Sequence, residues 1–138
     1  EASRKVLVVG GGCGGLQTAI TAADRGHQVI LCEKAGVLGG LINFTDHTDH
    51  KVDIRNFKDL LVRDVEKRPI KVRLNCEVTP ELIKEIAPEA VVLAVGSDDL
   101  ILPIEGIEKC CHSNGGILQR FCWSWKKHHR TRRWSGRL

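Results

Sequence analysis

Apolar residues come along this chain in two rhythms. Val6 to Val9 and Val29 to Leu31 form short unbroken runs of the kind that fill a strand covered on both faces. Between them Leu16, Ala19, Ile20 and Ala23 recur at i, i+3, i+4 and i+7, the spacing of one helix face. Gly26 stands where that helix should stop, in the left-handed conformation that glycine accepts cheaply. The helical rhythm returns over Asp53 to Lys67. Ile54, Phe57, Leu60, Leu61 and Val65 take its apolar face, and Arg55, Lys58, Asp59, Arg63 and Glu66 the remainder, before Pro69 ends it. Lys71 to Val78 reads as a strand with Val72, Leu74 and Cys76 on one side. Thr79-Pro80 supplies an N-cap with proline at the first helical position, which predicts a short helix over Glu81 to Ile86. Pro88 then precedes Ala90 to Val95, a nearly all-apolar strand closed by Gly96.

Strands that alternate with helices and are apolar on both faces predict an α/β fold, a doubly wound parallel sheet covered on both sides. In such a sheet a ligand lies beyond the carboxyl ends of the strands. Gly10 to Gly15, Glu33 and Gly96 all fall at such ends, so three features distant in sequence converge on one crevice. The connection from Lys34 to Lys51 is long, with Leu38-Gly39-Gly40 followed by a polar run from Asn43 to His50, and long connections inside compact domains are often ligand-facing.

The turn after the first strand carries the specific chemistry. Gly10-Gly11-Gly12-Cys13-Gly14-Gly15 fits GxGxxG between a strand and a helix. Gly10 lets the chain turn sharply, Gly12 lets backbone approach a pyrophosphate, and Gly15 lets the helix sit tightly on the sheet. Amides at the helix start then face the phosphates with the positive end of the helix dipole behind them. Glu33 follows Gly15 by 18 residues, near the distance at which a carboxylate accepts hydrogen bonds from a ribose diol. The same carboxylate would repel a 2′-phosphate, so NADP is disfavoured in this pocket. FAD and NAD share an ADP half, and the motif does not separate them.

The 138 residues bound the reading to one domain or part of one. No apolar run approaches the roughly 20 residues that cross a bilayer, the first residues lead into a strand rather than read as a leader, and the six cysteines show no paired spacing, so a reduced, cytoplasmic setting is expected. The net charge of +4 conceals a division. From Cys110 onward there are seven Lys/Arg and no Asp/Glu, which leaves residues 1–109 with fourteen basic against seventeen acidic residues, a balance of −3. All three tryptophans, Trp123, Trp125 and Trp134, also lie in the tail. We therefore divide the chain into a nucleotide-binding domain, 1–109, and a basic tail, 110–138, that is not a domain.

Taken in order, Val6 to Leu16, Arg25 to Val29, Glu33-Lys34, Leu38-Gly39-Gly40, Val72 to Thr79, Val91 to Gly96 and Ile104 to Ile107 resemble the Rossmann-like FAD/NAD(P)-binding region of NADH:flavin oxidoreductases of the 2,4-dienoyl-CoA reductase, enoate reductase and trimethylamine dehydrogenase type. The likeness runs over about residues 4 to 109. Two positions depart from the family pattern: Cys13 stands where proline is usual, and Ala94-Val95-Gly96 where Ala-Thr-Gly is. The resemblance implies a parent enzyme that passes electrons from NAD(P)H to FAD, through an iron-sulfur cluster, to FMN in a barrel and so to an activated alkene. This chain would be the FAD-binding portion. The cofactor-binding set is then Gly10, Gly12, Cys13, Gly14, Gly15, Glu33, Lys34, Gly39, Gly40 and Gly96, with no catalytic residue, because the redox chemistry belongs to the cofactor. FMN barrel and NAD(P)H domain would lie outside the chain, and the isolated chain is not expected to turn over. An NAD site, or an ADP site with a structural role, remains the alternative.

Where the family opens an NAD(P)H domain with a second GxGxxG, this chain has its basic tail. Codon degeneracy allows Arg132 to Arg137, read one base later, to give Gly-Gly-Gly-Leu-Val-Gly, so an out-of-frame tail is the preferred account over a nucleic-acid grip by basic and aromatic residues. His47, Asp49 and His50 read as a solvated loop rather than as metal ligands. At Cys13 a small side chain that fits is preferred to a reactive thiol, since no partner cysteine is placed for exchange.

Overall fold

The computed structural model describes residues 2–47 and 50–97. Asp49 of the polar loop, the Ile104 to Ile107 stretch and the whole basic tail lie outside the described residues. Four strands, β1 (Lys5–Val9), β2 (Gln28–Cys32), β3 (Ile70–Arg73) and β4 (Ala90–Leu93), form one parallel sheet in the order β3-β2-β1-β4. The register sets Val9 beside both Cys32 and Leu93, so three strand ends lie level around the turn that follows β1.

Alternation along β1 divides the core in two. Val6 and Val8 face one side with Val29 and Leu31 of β2, under Leu16, Ala19 and Ile20 of α1 (Cys13–Asp24) and Leu61 and Val65 of α2 (Val52–Glu66). Leu7 faces the other side with Cys32 and with Ile86 of α3 (Pro80–Ile86). Each fully buried Leu or Val contributes about 1.5–3 kcal/mol, so the α1/α2 side carries most of the stability. The helix ends follow the sequence signals. Gly26 sits at φ +84°, and the Thr79 hydroxyl accepts from the Leu82 N–H at 3.3 Å, directly before Pro80.

Two strand bounds are corrected, and the long connection and the sheet's cover gain detail. The strand read over Lys71 to Val78 ends at Arg73, because Asn75 takes a left-handed φ of 52° and its N–H turns to the Ala35 carbonyl. The last strand ends at Leu93 rather than Val95, with one more bond from the Ala94 N–H to the Val9 carbonyl. The long connection is not without structure: Gly40–His47 winds into 3-10 turns. Among the described residues the sheet is covered on both sides but unevenly, with α3 and the segment after β3 on the Leu7 side and Leu93 72% exposed.

Candidate nucleotide-binding site

The turn after β1 is built from glycines that serve two different ends. Gly10 has φ +106°, donates its N–H to the Cys32 carbonyl at 2.8 Å, and would put a Cβ 2.3 Å from the Ala94 carbonyl oxygen. A Cβ at Gly15 would stand 1.8 Å from the Gly10 carbonyl oxygen. Those two positions are closed by packing against backbone that cannot yield. Gly12 differs. Its φ of −74° and ψ of −179° suit any residue, and among the described residues a Cβ there would meet nothing within 4 Å. Gly14 is equally open. Gly12 is the N-cap of α1, where no side chain caps the helix and no acidic residue lies in the first turn. The helix therefore presents amides and the positive end of its dipole to open space, an arrangement suited to an anion.

Glu33 closes the adjoining side. Its carboxylate is buried and accepts two backbone N–H groups, from Gly11 at 2.5 Å on Oε2 and from Ala35 at 2.8 Å on Oε1. Its own backbone is pinned as well, the N–H donating to the Arg73 carbonyl and the carbonyl accepting from Cys76 N–H, each at 2.9 Å. Burying a carboxylate is costly unless its oxygens are hydrogen-bonded, and these two amides meet that need. Each oxygen accepts one bond and keeps a second lone pair, so the group that braces the turn retains capacity toward a diol.

The Leu38-Gly39-Gly40 segment packs directly on the turn. Gly39 donates its N–H to the Gly11 carbonyl at 2.8 Å, and Gly12 and Gly39 pair as an isolated parallel bridge. A Cβ on Gly40, at φ +59°, would come within 2.9 Å of the Gly12 Cα. Beneath it lies Lys58, which the hydropathy pattern assigned to the polar remainder of α2 and which is buried. Its ammonium pairs with Asp46 and, at 3.5 Å, with Asp59, and its stem would meet a Cβ on Gly39 at 2.9 Å. Thr45 is fully buried in the same loop, its hydroxyl donating to the Ile42 carbonyl while its own carbonyl accepts from Arg55 Nε.

Of the residues singled out from sequence, Gly10, Gly12, Cys13, Gly14, Gly15, Glu33, Gly39 and Gly40 gather around one turn. Lys34 and Gly96 do not join the packed cluster. Lys34 is exposed beside Glu33, and Gly96 is exposed at φ +76° with nothing among the described residues within 4 Å of a Cβ position. Gly11 and Lys58 are additions. Gly11 links all three parts of the site, donating to Glu33 and accepting from Gly39, and a Cβ there would stand 2.6 Å from Leu38 Cδ2. Its signal was a glycine in the middle of three consecutive glycines, at a position the motif leaves free. Nothing in the residue pattern marked Lys58.

Comparison with known proteins agrees with this geometry. A family model described as FAD dependent oxidoreductase matches residues 5–91. The chain is 42% identical over 106 residues to NADH oxidase of Thermoanaerobacter brockii and 38% identical over 120 residues to cinnamate reductase of Clostridium sporogenes, which covers 77% and 87% of this chain. It spans only 16% and 18% of the length of those relatives. Among solved structures, 2-naphthoyl-CoA reductase in complex with 2-naphthoyl-CoA superposes with a TM-score of 0.73 at 36% identity, over 78% of this chain and 16% of that one. A four-stranded parallel sheet, a glycine turn at its carboxyl edge and a match over most of the described residues lead to one assignment: the chain belongs to the FAD dependent oxidoreductase family.

Proposed function

We propose that this chain holds the ADP half of FAD, with the diphosphate over Gly12 and the start of α1 and the adenosine ribose on Glu33. The observation that carries this reading is the pairing of an uncapped helix N-terminus, open above Gly12, with a buried carboxylate on the next strand end that keeps free lone pairs. Gly10, Gly11 and Gly15 shape the turn, and Cys13 and Gly14 contribute amides at the helix start. Gly39 and Gly40 bring the following loop against the turn, and Lys34 after Glu33 and Gly96 after β4 complete the proposed cofactor-binding set. When bound, FAD would supply the hydride and electron chemistry, and this chain's residues bind and orient it. In a longer enzyme of this type the site would serve a relay from NAD(P)H, by way of an iron-sulfur cluster and FMN held elsewhere, toward an activated alkene. We assign residues 1–109 to the nucleotide-binding domain and leave 110–138 outside it.

Loading the purified chain with FAD, removing free nucleotide by gel filtration and recording the visible spectrum tests the reading. Retained yellow absorption in about one-to-one ratio is the expected result. ADP retention without any FAD retention would favour the second reading, an ADP site with a structural role, and retention of neither would overturn both.

A further inference from the structure

Six cysteines with no paired spacing give no hint of a thiol pair, yet the fold brings two of them together. Cys32 ends β2 and is buried with Leu7 and Ile86, and Cys76, carried back by the left-handed turn at Asn75, is half-buried and packs on that same cluster. The Cys76 N–H donates to the Glu33 carbonyl at 2.9 Å, which anchors Cys76 to the residue directly after Cys32. Both thiols are free. We propose that Cys32 and Cys76 form a peroxide-reactive dithiol site whose reversible disulfide staples the end of β2 to the segment after β3, directly behind Glu33.

The two sulfurs differ in access, which fixes the order of events. Burial pushes the Cys32 thiol up to about 11, helped by its hydrogen bond with Cys76, so Cys32 keeps its proton at neutral pH and lies out of reach of solvent. Cys76 is the half-buried partner and reacts first. Its thiolate attacks hydrogen peroxide, an S–O bond forms as the O–O bond breaks, and the departing hydroxide takes up a proton to leave as water. The Cys32 sulfur then attacks the Cys76 sulfenic acid. The S–S bond forms, the S–O bond breaks, and the leaving oxygen carries away the Cys32 proton as a second water, so two thiols and one peroxide give one disulfide and two waters. The loop closed by this bond contains β3 and all of α2, and closing a loop of that length restricts the unfolded chain. Any link to nucleotide retention rests on the role proposed for Glu33. Formation of the bond does not.

The test uses the full chain without nucleotide, so its outcome is independent of the binding assay above. Folded protein is treated with hydrogen peroxide, remaining thiols are alkylated under denaturing conditions, and the non-reduced chain is digested with trypsin. The expected product is peptide 26–34 joined to peptide 74–84, abundant in wild type, abolished by dithiothreitol, absent from Cys76→Ser, and retained when Cys13, Cys110, Cys111 and Cys122 are all replaced by Ser. The oxidised chain should unfold about 5 °C or more above the reduced one. Cys76 converted to sulfinic acid with Cys32 still alkylatable would overturn the proposal, as would Cys76 joined to one of the other four cysteines instead. A linked chain with an unchanged or lowered midpoint would overturn the stapling role.

Discussion

Glu33 does two jobs with one carboxylate. Its oxygens hold the Gly11 and Ala35 amides, so the side chain proposed to meet the ribose also braces the turn proposed to meet the diphosphate. Glu33→Gln tests both roles. The amide has a single acceptor oxygen and turns an NH2 toward a backbone donor, leaving a buried N–H unpaired, which costs about 1–3 kcal/mol of stability by urea titration. ADP affinity should fall roughly tenfold or more while competition by inorganic pyrophosphate, which lacks the sugar, changes far less. Legibility at this scale followed chemistry that depends on spacing. Gly10, Gly15 and Glu33 stood at motif positions whose geometry is fixed by the strand–turn–helix path. Gly11 occupies a position the motif leaves open, and its need for glycine comes from Leu38 across a later loop. Lys58 was hidden because hydropathy sends an ammonium to water, whereas here Asp46 and Asp59 offset its burial.

Among the elements, α2 separates pattern from packing. The expected apolar face runs from Ile54 to Val65, but the residues that bury are Lys58, Leu61 and Val65, with Phe57 and Leu60 half exposed. At 100° per residue Phe57 and Leu60 lie to one side of the line through Lys58, Leu61 and Val65, so the apolar arc is wider than the contact with the core. Leu61→Ala should therefore cost about 2–5 kcal/mol in denaturant unfolding, whereas Phe57→Ser and Leu60→Ser should each stay within about 1 kcal/mol of wild type. Helices α1 and α2 are also tied by Arg68, whose Nε donates to Asp24 Oδ1 at 2.7 Å and whose NH2 group donates to Oδ2 at 3.0 Å. That hydrogen-bonded guanidinium holds the Asp24 carboxyl below its ordinary value of 3.8. A depressed folded value gives stabilisation that is present above about pH 4 and lost as pH falls through the folded value. Thermal unfolding of wild type and Asp24→Asn should differ slightly at pH 7 and converge near pH 2, the pair being exposed and its effect small. The strands show where pattern reading stops. Lys71 to Val78 kept its apolar positions after leaving the sheet, since Cys76 and Val78 pack on the Leu7 cluster from a loop. Val72 and Leu74, at the same alternating positions, are exposed, so alternation here marked neither uniform burial nor membership of a ladder.

For the whole molecule, sequence length already bounded what one chain of this size can do. It spans about one-sixth of its relatives, and its sheet leaves Val91, Leu93 and Val95 uncovered at the β4 side among the described residues. The architecture itself was legible, because a parallel sheet needs strands apolar on both faces and helices between them, and this chain alternates the two without ambiguity. The uneven cover was not legible, since β4 has the composition of an enclosed strand while Val91 and Leu93 on one of its faces are exposed among the described residues. Diphosphate binding at this turn depends most on the space above Gly12. Gly12→Ala puts a methyl group where, chain neighbours aside, no atom of the described residues lies within 4 Å, at a φ that alanine adopts freely, and should lower stability by about 1 kcal/mol at most. Calorimetric titration of ADP into wild type and Gly12→Ala is the most direct measurement: one ADP bound by wild type and at least about tenfold weaker binding by the variant is predicted. Equal affinity in the two folded proteins, or no binding to wild type, would contradict it.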